Sequence, residues 1–167
     1  MILTGYKAHF TGAPYGKDRE RQEEQLFITT RGKQWFLQGA AGDTRDTYCL
    51  ITSLDDEGYD FYCCAMLGQW NREHLYDREV TGVDFVEELG LEHITLPRTT
   101  YAIFETQVTP RPIEGYFELL NSRIQILTEW MPEMGFQLAR APELAVYHWR
   151  PRNERKIQLW MPVEKIQ

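Results

Sequence analysis

Serine is nearly missing from this chain of 167 residues; only Ser53 and Ser122 occur. No Gly-x-Ser-x-Gly elbow and no phosphate-cradling glycine-rich loop is present either, so a Ser-His-Asp nucleophile and a nucleotide-phosphate cradle both lack support. Cysteine is scarce, at three residues. Cys63 and Cys64 are adjacent and point to opposite faces of any strand, Cys49 stands apart, and no Cys-x-x-Cys or spaced histidine pair accompanies them. They read as buried structural thiols. His9, His74, His93 and His148 are scattered singly. Glu73-His74 with Asp77, and Glu92-His93, read as solvated connector residues, so no metal and no cofactor is expected. Positive charge is in deficit, with 18 Lys+Arg against 25 Asp+Glu and a net charge of −7. The electrostatic attraction to phosphate that dominates nucleic-acid binding is therefore absent, and no direct nucleic-acid partner is expected. No apolar run approaches the roughly 18 residues of a membrane span, and Met1-Ile2-Leu3-Thr4-Gly5-Tyr6 lacks a signal-peptide layout. The expectation is a cytoplasmic protein with no membrane partner.

Aromatic residues are what the chain has in surplus: eight Phe, five Trp and nine Tyr, 13% of the sequence. Such a surplus either packs a core or lines a cavity with π faces.

The order of periodic segments repeats. In the C-terminal half, Thr100 to Glu105 is β-branched and aromatic and predicts a strand. From Ile113 to Met131 the apolar residues Ile113, Phe117, Leu120, Ile124 and Leu127 recur at steps of three or four, which predicts an amphipathic helix closed by Pro132 and Gly135. Leu144 to Trp149 and Ile157 to Met161 follow as strands. The N-terminal half shows the same order: a strand from Ile2 to Phe10, a charge-rich helix from Lys17 to Gln38, and strands from Thr47 to Leu54 and Tyr59 to Leu67 around the turn Asp55-Asp56-Glu57-Gly58. Equivalent positions sit 95 to 97 residues apart, as Trp35 to Trp130, Tyr6 to Ala102 and Phe61 to Gln158. The expected fold is α+β, one domain over 1–167, built from duplicated strand-helix-strand-strand modules at about 1–68 and 98–167. The connector, about 69–97, carries Trp70, Tyr76 and a short helix expected over Asp84 to Leu89. Pseudo-two-fold modules of this kind leave a cleft between them, and pockets favour such interfaces.

The candidate chemistry is an aromatic set with nearby carboxylates. By alternation Tyr147 and Trp149 share a strand face, as do Gln158 and Trp160, and Glu143 precedes the first of these strands. Tyr59, Phe61 and Cys63 share a face in the first module. Aromatic walls around a desolvated carboxylate suit an organic cation; the competing reading is that the alternation fills two sheet-helix cores. The run from Asp18 to Glu24 reads as a solvated face with acids near a helix N-terminus. The basic tip Arg150, Arg152, Arg155 and Lys156 reads as a solvated turn.

Tyr101-Ala102-Ile103-Phe104-Glu105, Trp130-Met131-Pro132-Glu133-Met134-Gly135-Phe136, Pro142-Glu143-Leu144-Ala145-Val146-Tyr147 and Gln158-Leu159-Trp160-Met161-Pro162-Val163 together resemble the gyrase-inhibitor-like (GyrI-like) small-molecule-binding family. This is the effector-binding domain of AraC-type and MerR-type multidrug regulators, which also occurs alone. Tyr101 and Phe104 match the family's Tyr-Ala-x-Phe strand. Trp130, Pro132 and Gly135 match its helix-ending signature, and Tyr147 and Trp160 match the aromatics of the last two strands. The resemblance implies a duplicated fold with a hydrophobic ligand cleft; no basic head fits within the chain, so the expectation is a stand-alone member, with a domain of a longer regulator as the alternative. Two positions depart from the family pattern. Ala145 and Gln158 stand where relatives often carry Glu, so Glu105 or Glu143 takes the anionic role or the pocket prefers neutral aromatic compounds. The ligand-binding set expected from these readings is Phe61, Trp70, Tyr101, Glu105, Trp130, Glu143, Tyr147, Gln158 and Trp160, with no catalytic residue assigned. The leading function is binding of hydrophobic aromatic compounds, cationic ones as a candidate subset, with a homodimer left open. The alternatives are hydrolysis of reactive xenobiotics by a cleft Glu and Tyr, and modulation of gyrase by an acidic surface.

Overall fold

The computed structural model describes residues 1–41, 46–74, 79 and 88–167. The expected strands are present: β1 (Ile2–Thr11), β2 (Thr47–Thr52), β3 (Gly58–Ala65), β5 (Thr100–Glu105), β7 (Glu143–His148) and β8 (Lys156–Lys165). Two short strands join them that the alternation does not reveal, β4 (Glu92–Thr95) and β6 (Phe136–Leu138), at lengths too short for a period to show. Glu92 and His93 are thus edge-strand residues, exposed as expected, and His93 Nδ1 lies 2.8 Å from Thr4 Oγ1. The helix expected over Asp84 to Leu89, and Tyr76 and Asp77, lie almost wholly outside the described residues.

The N-terminal helix is two helices, α1 (Gly16–Thr29) and α2 (Arg31–Ala41). Thr30 interrupts them: its backbone leaves helical values, its N–H and Oγ1 both bond back to the Leu26 carbonyl, and its Oγ1 also meets the Tyr6 hydroxyl at 2.6 Å. A hydroxyl that turns back onto its own helix in this way bends or ends it. After the short α3 (Gln69–His74), the second-module helix begins as α4 (Ile113–Asn121) and runs on through Arg123–Gln125, a π-helical turn at Ile126–Trp130 and Met131–Glu133. Gly135, at φ +77, then reverses the chain where an L side chain would be strained.

All strands lie in one antiparallel sheet in the order β4-β1-β3-β2-β7-β8-β5, with β6 pairing the far end of β8. The order is a near-mirror about the β2/β7 seam, where Cys49 faces Ala145. In module one Ile51 faces Phe61, and in module two Tyr147 faces Ile157. Equivalent positions across this seam are therefore 96 apart, Phe61 with Ile157 rather than with Gln158. The single residue matters, because a one-residue slip in a strand exchanges the two faces.

One face of the sheet carries α1, α2 and α4. Phe10, Cys49, Ile51, Phe61, Ala145, Tyr147, Leu159 and Met161 pack there with Tyr116 and Leu120 of α4. The opposite face gathers Leu3, Tyr48, Leu50, Cys64, Leu144, Val146 and Leu96, with Tyr101 and Trp160 against them. All three cysteines are free and buried, Cys63 facing one side and Cys64 the other. The run from Asp18 to Glu24 is not a solvated face throughout. Arg19, Glu20 and Glu23 are buried, because they share the stripe that continues through Leu26 and Phe27 onto the sheet.

Candidate ligand cleft

Arg19 and Glu23, one turn apart on α1, are each 1% exposed. Arg19 Nε donates to Glu23 Oε1 at 2.9 Å, its Nη1 to the Pro14 carbonyl at 2.7 Å, and its Nη2 to the Tyr116 hydroxyl at 3.1 Å. Tyr116, from α4, donates to Glu23 Oε1 at 2.7 Å, and Tyr147, from β7, donates to Glu23 Oε2 at 3.3 Å. Two buried charges so arranged satisfy each other, which is the condition for keeping ions away from water. The guanidinium also lies 5.9 Å from the Phe61 ring centroid. Burial pushes the Tyr116 and Tyr147 phenols well above their ordinary range, and pushes Tyr59 up to about 12. All three are neutral at physiological pH, and Tyr116 and Tyr147 act as donors to Glu23. The Tyr59 hydroxyl is buried with no partner among the described residues.

Directly beside this network a cleft of about 450 Å³ opens between the two modules. Phe27, Ile28 and Trp35 from α1 and α2 form one wall, Ile113 at the start of α4 the other, and Tyr147 with Trp149 the floor. The Tyr147 ring is stacked on Trp149 at 5.3 Å and met edge-on by Tyr116 at 5.3 Å and Phe27 at 5.7 Å. Trp149 is anchored by Nε1 donating to Thr47 Oγ1 at 2.9 Å. Trp35 is 70% exposed on the lip. Tyr147 thus presents its ring to the cleft while its hydroxyl reaches the buried carboxylate.

The expected ligand-binding residues are divided by the sheet. Tyr147 lines the cleft. Phe61 lies deeper on the same face, fully buried and stacked on Phe10 at 4.5 Å. Trp130, in the π-helical turn of the second-module helix, packs edge-on to Phe104 at 5.0 Å. Glu143 is buried in a two-point ion pair with Arg123. Tyr101, Glu105, Gln158 and Trp160 occupy the opposite face, because Leu144 pairs with Trp160 while Tyr147 pairs with Ile157. There Tyr101 donates to the Pro142 carbonyl at 2.9 Å and its ring lies 5.7 Å from that of Trp160. Gln158 Oε1 accepts from Trp160 Nε1 and meets His148 Nε2, both at 2.9 Å, while its amide donates to Glu105 at 2.9 Å. Trp70 stands apart, 64% exposed and stacked on His74 at 4.9 Å. Among the described residues no cluster of His, Cys, Asp or Glu is arranged to hold a metal.

Sequence reasoning did not place Glu23, Arg19, Tyr116 or Trp35 at the site. The signal for the first two is present: Arg19, Glu23, Leu26 and Phe27 fall at i, i+4, i+7 and i+8, one helix face. A charged pair on the apolar stripe of its own helix marks burial rather than solvation.

A single sheet duplicated about its centre, with helices on one face and an aromatic cleft between the modules, is the architecture that the resemblance to GyrI-like effector-binding domains implies. The chain belongs to the Cass2 family, described as integron-associated effector binding protein, which it matches over residues 33–163. No curated protein matches it by sequence. Among solved structures it is similar to SAV2435, determined with bound tetraphenylphosphonium, at 15% identity and a TM-score of 0.66 over 98% of this chain and 88% of that one. A Staphylococcus aureus MU50 protein, described as a bacterial transcription regulation protein, gives 16% identity and a TM-score of 0.61 over 98% and 92%. The EcmrR C-terminal domain gives 14% identity and 0.55 over 99% and 92%. At these identities the likeness is one of fold.

Proposed function

We propose that the chain binds hydrophobic aromatic molecules, lipophilic cations among them, in the cleft floored by Tyr147 and Trp149. The observation that carries this reading is a cleft walled by aromatic rings whose floor tyrosine is bonded to a buried carboxylate. Each ring met by a cation contributes about 0.5–2 kcal/mol. Glu23 adds little bare charge, because Arg19 already shares its Oε1; aromatic faces, more than an exposed anion, do the selecting. The tetraphenylphosphonium in SAV2435 supports a bulky aromatic ligand for this fold. In this reading the chain serves as a cytoplasmic sensor or carrier of such compounds, in line with the regulator among its structural neighbours. No helix among the described residues is long and apolar enough to cross a membrane.

Calorimetric titration with tetraphenylphosphonium tests the proposal. One saturable site, weakened by Trp149→Ala, is the expected result. Absence of both heat and tryptophan quenching at millimolar ligand would overturn it.

A further inference from the structure

Trp149 is a wall shared by two cavities. On one side it floors the aromatic cleft; on the other it borders a groove of about 560 Å³ whose remaining lining is Gln38, Arg150, Pro151, Arg152 and Arg155. This turn holds four of the chain's cations in seven positions, Arg150, Arg152, Arg155 and Lys156, against the single acid Glu154, although the whole chain is at −7. Lys156 is drawn off to Glu105 at 3.2 Å. Arg150 and Arg152 enter no ion pair among the described residues. Arg155 is half-buried and fixed: its Nε donates to the Trp149 carbonyl at 3.0 Å and its guanidinium carbon stands 5.7 Å from the Trp149 ring centroid. Arg31 adds a further guanidinium at the lip of the aromatic cleft.

Repulsion between such neighbours is relieved by an anion, and the local field decides the matter, since charges beyond about 10 Å are screened at ordinary salt. A planar guanidinium matches a carboxylate, sulfonate or phosphate two bonds at a time. From this continuity of an aromatic cleft with an arginine-lined groove across one tryptophan, we infer that the groove is an anionic subsite of the same ligand site. It takes the acidic group of an amphipathic aromatic anion whose ring system lies on Trp149 and Tyr147. The inference rests on the aromatic cleft being the binding site and adds amphipathic anions to the aromatic molecules that it takes.

The test compares two fluorescent probes that share one skeleton: N-phenyl-1-naphthylamine, which is neutral, and 8-anilinonaphthalene-1-sulfonate, which adds a sulfonate. The expected result is one-to-one binding of both at low ionic strength, the sulfonate tighter by about tenfold, with the gap narrowing as salt is added. In the double variant Arg150→Gln/Arg152→Gln, with its fold checked by circular dichroism, the ratio of the two dissociation constants approaches one. Using a ratio removes any general loss of binding-competent protein. Equal affinities in the unaltered protein, or a ratio unchanged in the double variant, overturn the subsite while leaving the aromatic cleft standing. Binding of neither probe overturns both.

Discussion

Tyr116 on the second-module helix donates its phenolic hydrogen to Glu23 on the first-module helix at 2.7 Å, across 93 positions of sequence. Because Arg19 and Tyr147 converge on the same carboxylate, the two modules are joined over the seam by a buried polar knot rather than by apolar contact alone.

That knot makes Glu23→Gln a severe change. It leaves the Arg19 guanidinium, 1% exposed, without its counter-charge, and removing one partner of a buried pair costs about 3–5 kcal/mol. The double variant Arg19→Met/Glu23→Leu removes both charges and is expected to recover most of the loss. Urea unfolding of the three proteins checks this; a single variant within about 1 kcal/mol of the parent would refute the buried pair.

Trp35 behaves oppositely. At 70% exposure it contributes little to the core, so Trp35→Ala should leave the unfolding midpoint nearly unchanged. As the lip of the aromatic cleft it should nevertheless matter for ligand, weakening tetraphenylphosphonium by about 2- to 30-fold, the equivalent of one lost cation–π contact. Calorimetry alongside thermal unfolding separates the two effects.

His148 sits with Nδ1 3.1 Å from Asp46 and Nε2 2.9 Å from Gln158 Oε1. The bond to the Asp46 carboxylate raises its pKa above the ordinary imidazole value; burial opposes this, the Gln158 bond adds to it, and nearby Lys156 subtracts. A group whose pKa is raised on folding stabilises the fold fully below its unfolded pKa and loses that contribution as pH rises through the folded one. The stability difference between the parent and Asp46→Asn should therefore be largest on the acid side of about 6.5 and shrink toward pH 8.5. Denaturant midpoints across that range, with the imidazole titration followed by NMR, measure it.

Gly5 in β1 faces Cys64 of β3 so closely that a Cβ there would overlap the Cys63 carbonyl oxygen and crowd the Cys64 sulfur. Backbone cannot yield as a flexible side chain does, so Gly5→Ala should destabilise by about 3 kcal/mol or more. Gly32→Ala, with open space around its Cβ, is the control expected to fold as well as the parent or better.

The strand and helix order of both modules was legible because hydrophobic period is a local property. Thr100–Glu105 lies where its residues predict, and the second-module helix starts at Ile113 and ends before Gly135. The break at Thr30 was harder to see, since it depends on Tyr6 meeting Thr30 from another element. The site was legible only in part. Tyr147 and Trp160 both looked like cleft aromatics, yet the β7/β8 register sends them to opposite faces. Alternation tells which residues share a face within one strand and says nothing about how two strands are aligned.

Composition and the paired order of elements determined by themselves a duplicated α+β chain, and the aromatic motifs of the second half carried its resemblance to effector-binding proteins. They also set its acidic balance, a net charge of −7, for net charge and periodicity are carried by the chain whatever its shape. Tertiary structure alone decided that Glu23 rather than Glu105 or Glu143 meets the cleft tyrosine, and that Trp149 divides an aromatic cleft from an arginine groove. The physical reason is that burial and pairing are relations between distant segments. A carboxylate is solvated or desolvated according to what packs over it, and here an α4 tyrosine and a β7 tyrosine, about 90 and 120 positions away, make a helix-start glutamate part of the interior.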